Sequence, residues 1–532
     1  MNSLPLLSLI IFTPWLGALV LGLWRNASSG TARTVGFAFS LAPLALGLLA
    51  LGSFDPARTT MQLVERHAWI AALNVHYHLG LDGLSLTLVL LTGILTPLAV
   101  LASWTLSPAP SLSVSPSLHL PPPRLYLALF LFLEGAALGV FLALDFFHWF
   151  VFWELSLVPA FFLIKLWGGS PGSVGGAAAT RAAYQFVIYT IGGSAFMLVA
   201  FAALFAVTGT LDFLQLAQLG ADGSLAVKLG PTGGTVLTAI FLGVLLGLAV
   251  KVPLWPFHTW LPSAYAEAPV GTSMFLTGVM SKMGVYGFLR LLWPIFPAQL
   301  HAAAPCLLGL AVGGVVFGAW AAMKQTDLKR MVAYSSINHL SYCLLALFAV
   351  AYASGRAGPS SEAATAALGG TILQMFNHGL SAAALFYCVG LLEARAGGRR
   401  GLLDFGGVRS AAPVFAGLCG VALFSSLGLP GLNGFVGEFL IFRGVFGLSP
   451  VAAAVASLGL LATALFLLTF WQRVFHGPRA GAVTGAFADI RGAELLPLLP
   501  LVVLMVVLGI FPQLLAGLIN PLVTAWADHL VR

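Results

Sequence analysis

The sequence predicts an all-α polytopic membrane protein of about fourteen transmembrane helices, two of them broken. Three observations carry that prediction. Of 532 residues, 59% are hydrophobic and only 8% charged, whereas soluble domains hold roughly a quarter charged residues. Apolar runs of roughly 20 residues, each able to cross about 30 Å of hydrocarbon, recur along the whole chain. Two of the runs are interrupted by Pro and Gly clusters at matching positions of two candidate five-helix units, 124–296 and 302–472.

In order, the spans are expected at 4–23, 33–52, 82–106, 124–144, 147–168, 182–208, 232–255, 268–296, 302–322, 328–353, 365–392, 410–430, 450–472 and 496–518, with 431–447 continuing the twelfth after a break. The chain then divides into 1–123 (three helices), 124–296 (first five-helix repeat), 297–475 (second repeat) and 476–532 (last helix and tail). No Lys or Arg precedes the first run, so it reads as an uncleaved helix. Lys and Arg concentrate in the odd-numbered loops, for example Arg25, Arg124, Arg181, Lys324, Arg399 and Arg473. The positive-inside rule puts those loops in the cytoplasm and both termini on the other side. The formal charge of +7 is scattered and does not point to nucleic acid.

Residues 53–80 are expected to form a short hairpin on the outer face, and 107–123, rich in Pro and Ser, an irregular connection. His76 and His78 read as solvated loop histidines, since closed metal sites usually need four ligands. Cys306, Cys343, Cys388 and Cys419 are single and read as packing residues. No pattern for a haem, iron–sulfur, flavin, nucleotide or metal site occurs in the sequence.

The chemistry lies in ionisable groups stranded inside apolar runs: Glu134, Glu154, Lys251, Lys282 and Glu438. An ion at the bilayer centre costs from about 2.5 to more than 10 kcal/mol, and such groups commonly mark charge pathways, here most simply for protons. Measured from the hairpin turns, Glu134 and Glu154, Lys251 and Lys282, and His339 and His378 fall at matching depths. Static buried ion pairs are the competing reading, but such pairs often bring no net stability.

The two breaks read Lys251-Val-Pro253-Leu-Trp-Pro256-Phe-His258-Thr-Trp260-Leu-Pro262 and Leu429-Pro430-Gly431-Leu-Asn433-Gly434-Phe-Val-Gly437-Glu438. Unwound backbone in a membrane lines protein or a wet cavity, not lipid. Glu154 and Lys251 are the natural ion pair: moving the carboxylate would switch the lysine between holding and releasing a proton. Lys282, His339 and His378 would relay, because neutral imidazole both accepts and donates. Glu438 would be the terminal carrier. Lys165, near a helix end, is expected to snorkel. Asp327, Lys329 and Arg330 read as a cap and topology determinants. His258 either bonds freed backbone or relays protons.

These residues lie in stretches that together resemble one family. Phe152-Trp153-Glu154-Leu-Ser-Leu-Val-Pro159, Lys251 to Pro262, Lys282-Met-Gly-Val-Tyr-Gly287, Gln325-Thr-Asp-Leu-Lys-Arg330 with Tyr334-Ser-Ser-Ile-Asn-His339, Asn377-His378-Gly-Leu-Ser-Ala382 and Gly434-Phe-Val-Gly-Glu438-Phe resemble the antiporter-like subunits of complex I and of Mrp antiporters. Glu438, where other branches usually carry Lys, resembles the M-type branch, called chain 4 in cyanobacterial and chloroplast NAD(P)H–quinone enzymes. The family commonly has Trp-Leu-Pro-Asp-Ala-His; here Trp260-Leu-Pro-Ser263-Ala-Tyr265 stands, with Glu267 as the nearby substitute.

The resemblance implies fourteen helices with inverted repeats and proton translocation driven at a distance by quinone reduction. It carries the pair role onto Glu154 and Lys251, the relay onto Lys282, His339 and His378, and the exit onto Glu438, with Glu134 as a further proton-path candidate. It implies no cofactor in this chain, neighbouring antiporter-like membrane-arm subunits as partners, and a bacterial plasma or cyanobacterial thylakoid membrane. The alternatives are a subunit of an Mrp-type cation/proton antiporter or a structural membrane subunit of a related complex.

Overall fold

The computed structural model describes residues 4–105, 122–169, 174–355, 361–484 and 487–531. Most of the 107–123 connection therefore lies outside the described residues. Among the described residues, twelve helices are long and apolar enough to cross a membrane. The two remaining expected spans are present in pieces.

The first pair is α1 (Leu6–Leu23) and α2 (Ser29–Ser53), the latter capped by Ser28, whose hydroxyl accepts from the Thr31 amide. The expected hairpin follows as β1 (Gln62–Ile70) and β2 (Val75–Leu81), antiparallel with Arg66 opposite His78. It is stitched to two other turns: the Leu144 amide donates to the His78 carbonyl, and the Phe146 amide to the Leu211 carbonyl, each at 2.9 Å. That stitching corrects the reading of His78 as solvated. It is buried, with Nδ1 2.9 Å from an Asp212 carboxylate oxygen.

Next come α3 (Gly83–Thr105), α4 (Pro123–Leu142), α5 (Phe146–Trp167), α6 (Ala177–Thr208) and α7 (Gly233–Lys251). α7 ends at Lys251, short of the expected 255, because Pro253 follows. The freed carbonyl of Val250 is met by the Trp260 indole N–H at 3.0 Å. α8 runs from Val270 to Ile295 as α-helical pieces separated by two π-helical turns, Leu276–Met280 and Phe288–Leu292. Such turns loosen the ladder and are frequent at functional positions.

The second half holds α9 (Pro297–Met323), α10 (Leu328–Ala353), α11 (Ser361–Arg395), α12 (Pro413–Ser426, then Asn433–Leu448), α13 (Pro450–Phe475) and α14 (Leu495–Ile510, then Gln513–Val531). α14 differs from expectation. It stops at Ile510, and Pro512 opens a second piece, Gln513–Val531, in the stretch expected to be mostly tail. Both pieces run along α11, from Tyr387 Oη on the Glu494 carbonyl (2.9 Å) to Ser361 Oγ on the Asp528 carboxylate (2.6 Å). Thus α14 is a third broken helix. A Cβ on Gly509 would stand 2.3 Å from the Gly431 carbonyl, so the two breaks touch.

The turns sort onto two faces. The hairpin, the α4–α5 turn and the Leu211–Phe213 segment meet on one. The turns at Gly169, Glu267, Asp327 and Arg400 meet on the other, the face of the odd-numbered loops. α10 and α11 are the most enclosed helices, and α8 is almost wholly buried beside them. α1, α2 and α14 leave long apolar stretches exposed. Cys343, Cys388 and Cys419 are buried, but Cys306 is exposed on α9.

Candidate functional site

The enclosed helices bring four of the expected groups into one polar chain. Lys282 lies between the two π turns of α8 and is fully buried. Its ammonium donates to the Thr277 carbonyl (2.5 Å) and lies 2.8 Å from His378 Nδ1 on α11. An ammonium only donates, so Nδ1 is the acceptor there and the His378 proton sits on Nε2. The rings of His378 and His339, on α10, have centroids 5.2 Å apart. His339 Nδ1 is 3.2 Å from Glu438 Oε1 on the second piece of α12. The path therefore crosses α8, α11, α10 and α12, and each residue on it is at most 6% exposed.

The break in α12 sets the last station. Asn377, next to His378, donates to the Asn433 carbonyl (2.7 Å), while Asn433 donates to the Asn377 side-chain oxygen (3.2 Å). Ser425 Oγ, at the end of the first piece, donates to Asn433 Oδ1 (2.6 Å). These bonds hold the start of the second piece against α11 and the end of the first piece. The other oxygen of Glu438 lies against Gly428, whose φ of +76° suits glycine and whose missing Cβ would stand 2.6 Å from it.

The first half behaves differently. Glu154 and Lys251 form no ion pair within 4 Å, and the Lys251 ammonium has no hydrogen-bond partner. It lies instead over the Trp153 ring at 4.9 Å. The reason is helical geometry: successive residues turn by about 100° around the axis. Trp153 points inward, donating from its indole N–H to Ser194 Oγ (3.0 Å). Glu154 is half-buried: one carboxylate oxygen is enclosed without a hydrogen-bond partner, and the side chain borders a groove with Val158, Phe162, Val187 and Ile191. Glu134 is wholly buried beside Thr96, with neither carboxyl oxygen hydrogen-bonded.

Lys165 stacks over Phe161 and Tyr184 at the end of α5, as a snorkelling side chain does. Asp327 caps α10, accepting from the Arg330 amide at 3.1 Å. Lys329 does not face solvent as a topology determinant would: it is buried, with its ammonium 2.6 Å from Glu393. Arg400 joins the cluster, reaching Glu267 (2.8 Å), Asp327 (2.6 Å) and Glu393 (3.6 Å). Tyr265, at the altered turn, donates to the Leu276 carbonyl at 3.0 Å. His258 lies 5.1 Å from the Phe317 ring, with Nδ1 unpartnered.

Sequence reasoning missed the buried pair of Asp82 and Arg290 (2.6 Å), the Lys329–Glu393 pair, Asp212 and Gln374. Arg290 and Glu393 lie in or beside apolar runs, and the cost of intramembrane charge was the signal that would have flagged them.

Residues 143–465 match the sequence profile of the family described as NADH:quinone oxidoreductase/Mrp antiporter, transmembrane. The chain is 35% identical to NADH-quinone oxidoreductase subunit M of Mycobacterium tuberculosis, over 98% of this chain and 94% of that one. A chain of the respiratory complex I of Thermus thermophilus with bound NADH superposes with a TM-score of 0.80 at 28% identity, covering 98% and 99% of the two chains. A chain of the Mrp complex from Dietzia has the same fold, with a TM-score of 0.82 at 21% identity and full coverage of both.

Proposed function

Since the chain belongs to the NADH:quinone oxidoreductase/Mrp antiporter family, in the company of subunit M proteins, we propose that it is a proton-translocating membrane-arm subunit of a complex I-type NADH–quinone oxidoreductase. The carrying observation is the buried chain Lys282–His378–His339–Glu438 through a broken helix. In this reading Lys282 loads the relay, the two histidines pass the proton, and Glu438 delivers it. Lys251, over Trp153, is the station of the first half, and the half-buried Glu154 tunes it through its charge. Glu134 is a reserve carboxyl buried beside Thr96.

We assign the chain no redox centre: electrons pass elsewhere in the assembly, and this subunit responds to them. The odd-numbered loops face the cytoplasm and both termini the other side, on the positive-inside argument. Neighbouring antiporter-like subunits of the membrane arm are its partners, as the complex I and Mrp relatives support.

The test uses inverted membrane vesicles carrying the assembled complex. Lys282→Ala and Lys251→Ala are each expected to lower protons pumped per electron while subunit assembly persists. Unchanged stoichiometry in both would overturn the assignment. The Mrp-like fold keeps cation exchange as the second reading. Sodium-dependent proton movement without quinone reduction would favour it.

A further inference from the structure

The geometry points to Gln374 as a positioning residue for the last hop, a two-setting carboxamide that decides when the proton on His339 can reach Glu438. This inference rests on the path proposed above. Gln374 lies on α11 one turn from His378 and is 2% exposed. Its Nε2 is 3.3 Å from His339 Nδ1 and 3.5 Å from Glu438 Oε1, two atoms that are themselves 3.2 Å apart.

A carboxamide nitrogen donates and never accepts. In the observed setting it donates to Nδ1, so the His339 proton stands on Nε2. A proton bound for Glu438 must stand on Nδ1, and there it would meet the amide N–H head-on. The two arrangements exclude each other while the amide keeps this orientation. Its other face is free to change that. Gln374 Oε1 is buried and has no hydrogen-bond partner. Turned by a half-rotation of the terminal torsion, Oε1 accepts from Nδ1–H and the donor conflict disappears. With the Nδ1–H tautomer held in this way, Nε2 carries a lone pair and has no hydrogen-bond partner, so an arriving proton binds there and gives the imidazolium.

The hop then balances simply. The Nδ1–H bond of the His339 imidazolium breaks and an O–H bond forms on Glu438 Oε1. An ion pair becomes a neutral imidazole and a carboxylic acid. The carboxamide exchanges no atom, and returns to donating once Glu438 has lost its proton outward.

Two near-isosteric variants separate this role from mere filling of space. Gln374→Met keeps the length but has no donor and only a weak acceptor. Gln374→Glu keeps a strong acceptor and, when protonated, a donor. In vesicles carrying the assembled complex, Gln374→Met is expected to slow the last hop about fivefold, the weight of one ordinary hydrogen bond, and so to lower protons pumped per electron. Gln374→Glu is expected to retain most pumping. A space-filling role predicts the reverse order, since Met packs and a buried extra carboxylate does not. Any result in which Gln374→Glu pumps no better than Gln374→Met overturns the inference. Glu438→Gln, in the same vesicles, tests the underlying path: normal pumping there sinks the path itself. Lost pumping there with normal pumping in Gln374→Met sinks only the role of the amide.

Discussion

Trp153 and Glu154 are sequence neighbours turned about 100° apart on α5: the indole covers the Lys251 ammonium, while the part-enclosed carboxylate forms no ion pair with it. Residue type and depth were legible in the sequence, because charge in an apolar run stands out. Direction was not, since it depends on the phase of each helix against its neighbours. Hence Lys282, His378, His339 and Glu438 meet as expected, and the Glu154–Lys251 ion pair does not form. Asp212 shows the same limit outside the spans. Burial alone would raise its carboxyl, but His78 and the Leu214 and Gln215 amides outweigh that and hold it below the usual carboxylate range. Its stabilisation is therefore present above the unfolded value near ~4 and is lost as pH falls through the lower folded value. Asp212→Ala is expected to cost about 1–3 kcal/mol at pH 7. Hydrogen exchange of the β2 amides reads this, and unchanged protection counts against it.

At the scale of elements, the breaks in α7 and α12 announced themselves through Pro and Gly, while the break in α14 did not. Phe511-Pro512 lies inside the expected span 496–518 in a stretch that stays apolar on both sides, so it reads through as continuous helix. The π turns of α8 are invisible in the sequence, because nothing in its composition distinguishes them from a regular helix. In α12, Gly434 is indispensable: a Cβ there would stand 1.9 Å from the Ser425 carbonyl. Gly434→Ala is expected to pry the two pieces apart, at a cost on the order of 1–3 kcal/mol. Because Asn433 and Glu438 move with the second piece, pumping should fall along with the unfolding temperature. A variant with wild-type values for both would show that the close approach is dispensable.

At the scale of the whole molecule, Arg400 gathers Glu267, Asp327 and Glu393 from three segments and so ties the first repeat to the second on the odd-loop face. Burial opposes its charge, but the three carboxylates prevail and raise its pKa, so it stays ionised at every working pH. Removing it leaves the part-buried Glu267 and Asp327 without that partner, while Glu393 keeps Lys329, so Arg400→Ala is expected to cost about 1–3 kcal/mol. Arg400→Lys should recover only part, because a point charge cannot reach all three partners. Thermal unfolding of the purified complex measures both, and equal stability of Arg400→Lys and wild type would refute the multi-point role.

Glu154 borders a surface groove with one carboxylate oxygen enclosed and unpartnered, which gives the molecule a border that is chemically unfinished. Placed against acyl chains it would be an orphan; placed against another protein it becomes a shared contact whose ionisation either side can feel. Substitutions on the abutting chain at this seam should therefore disturb Lys251 as though made within these 532 residues.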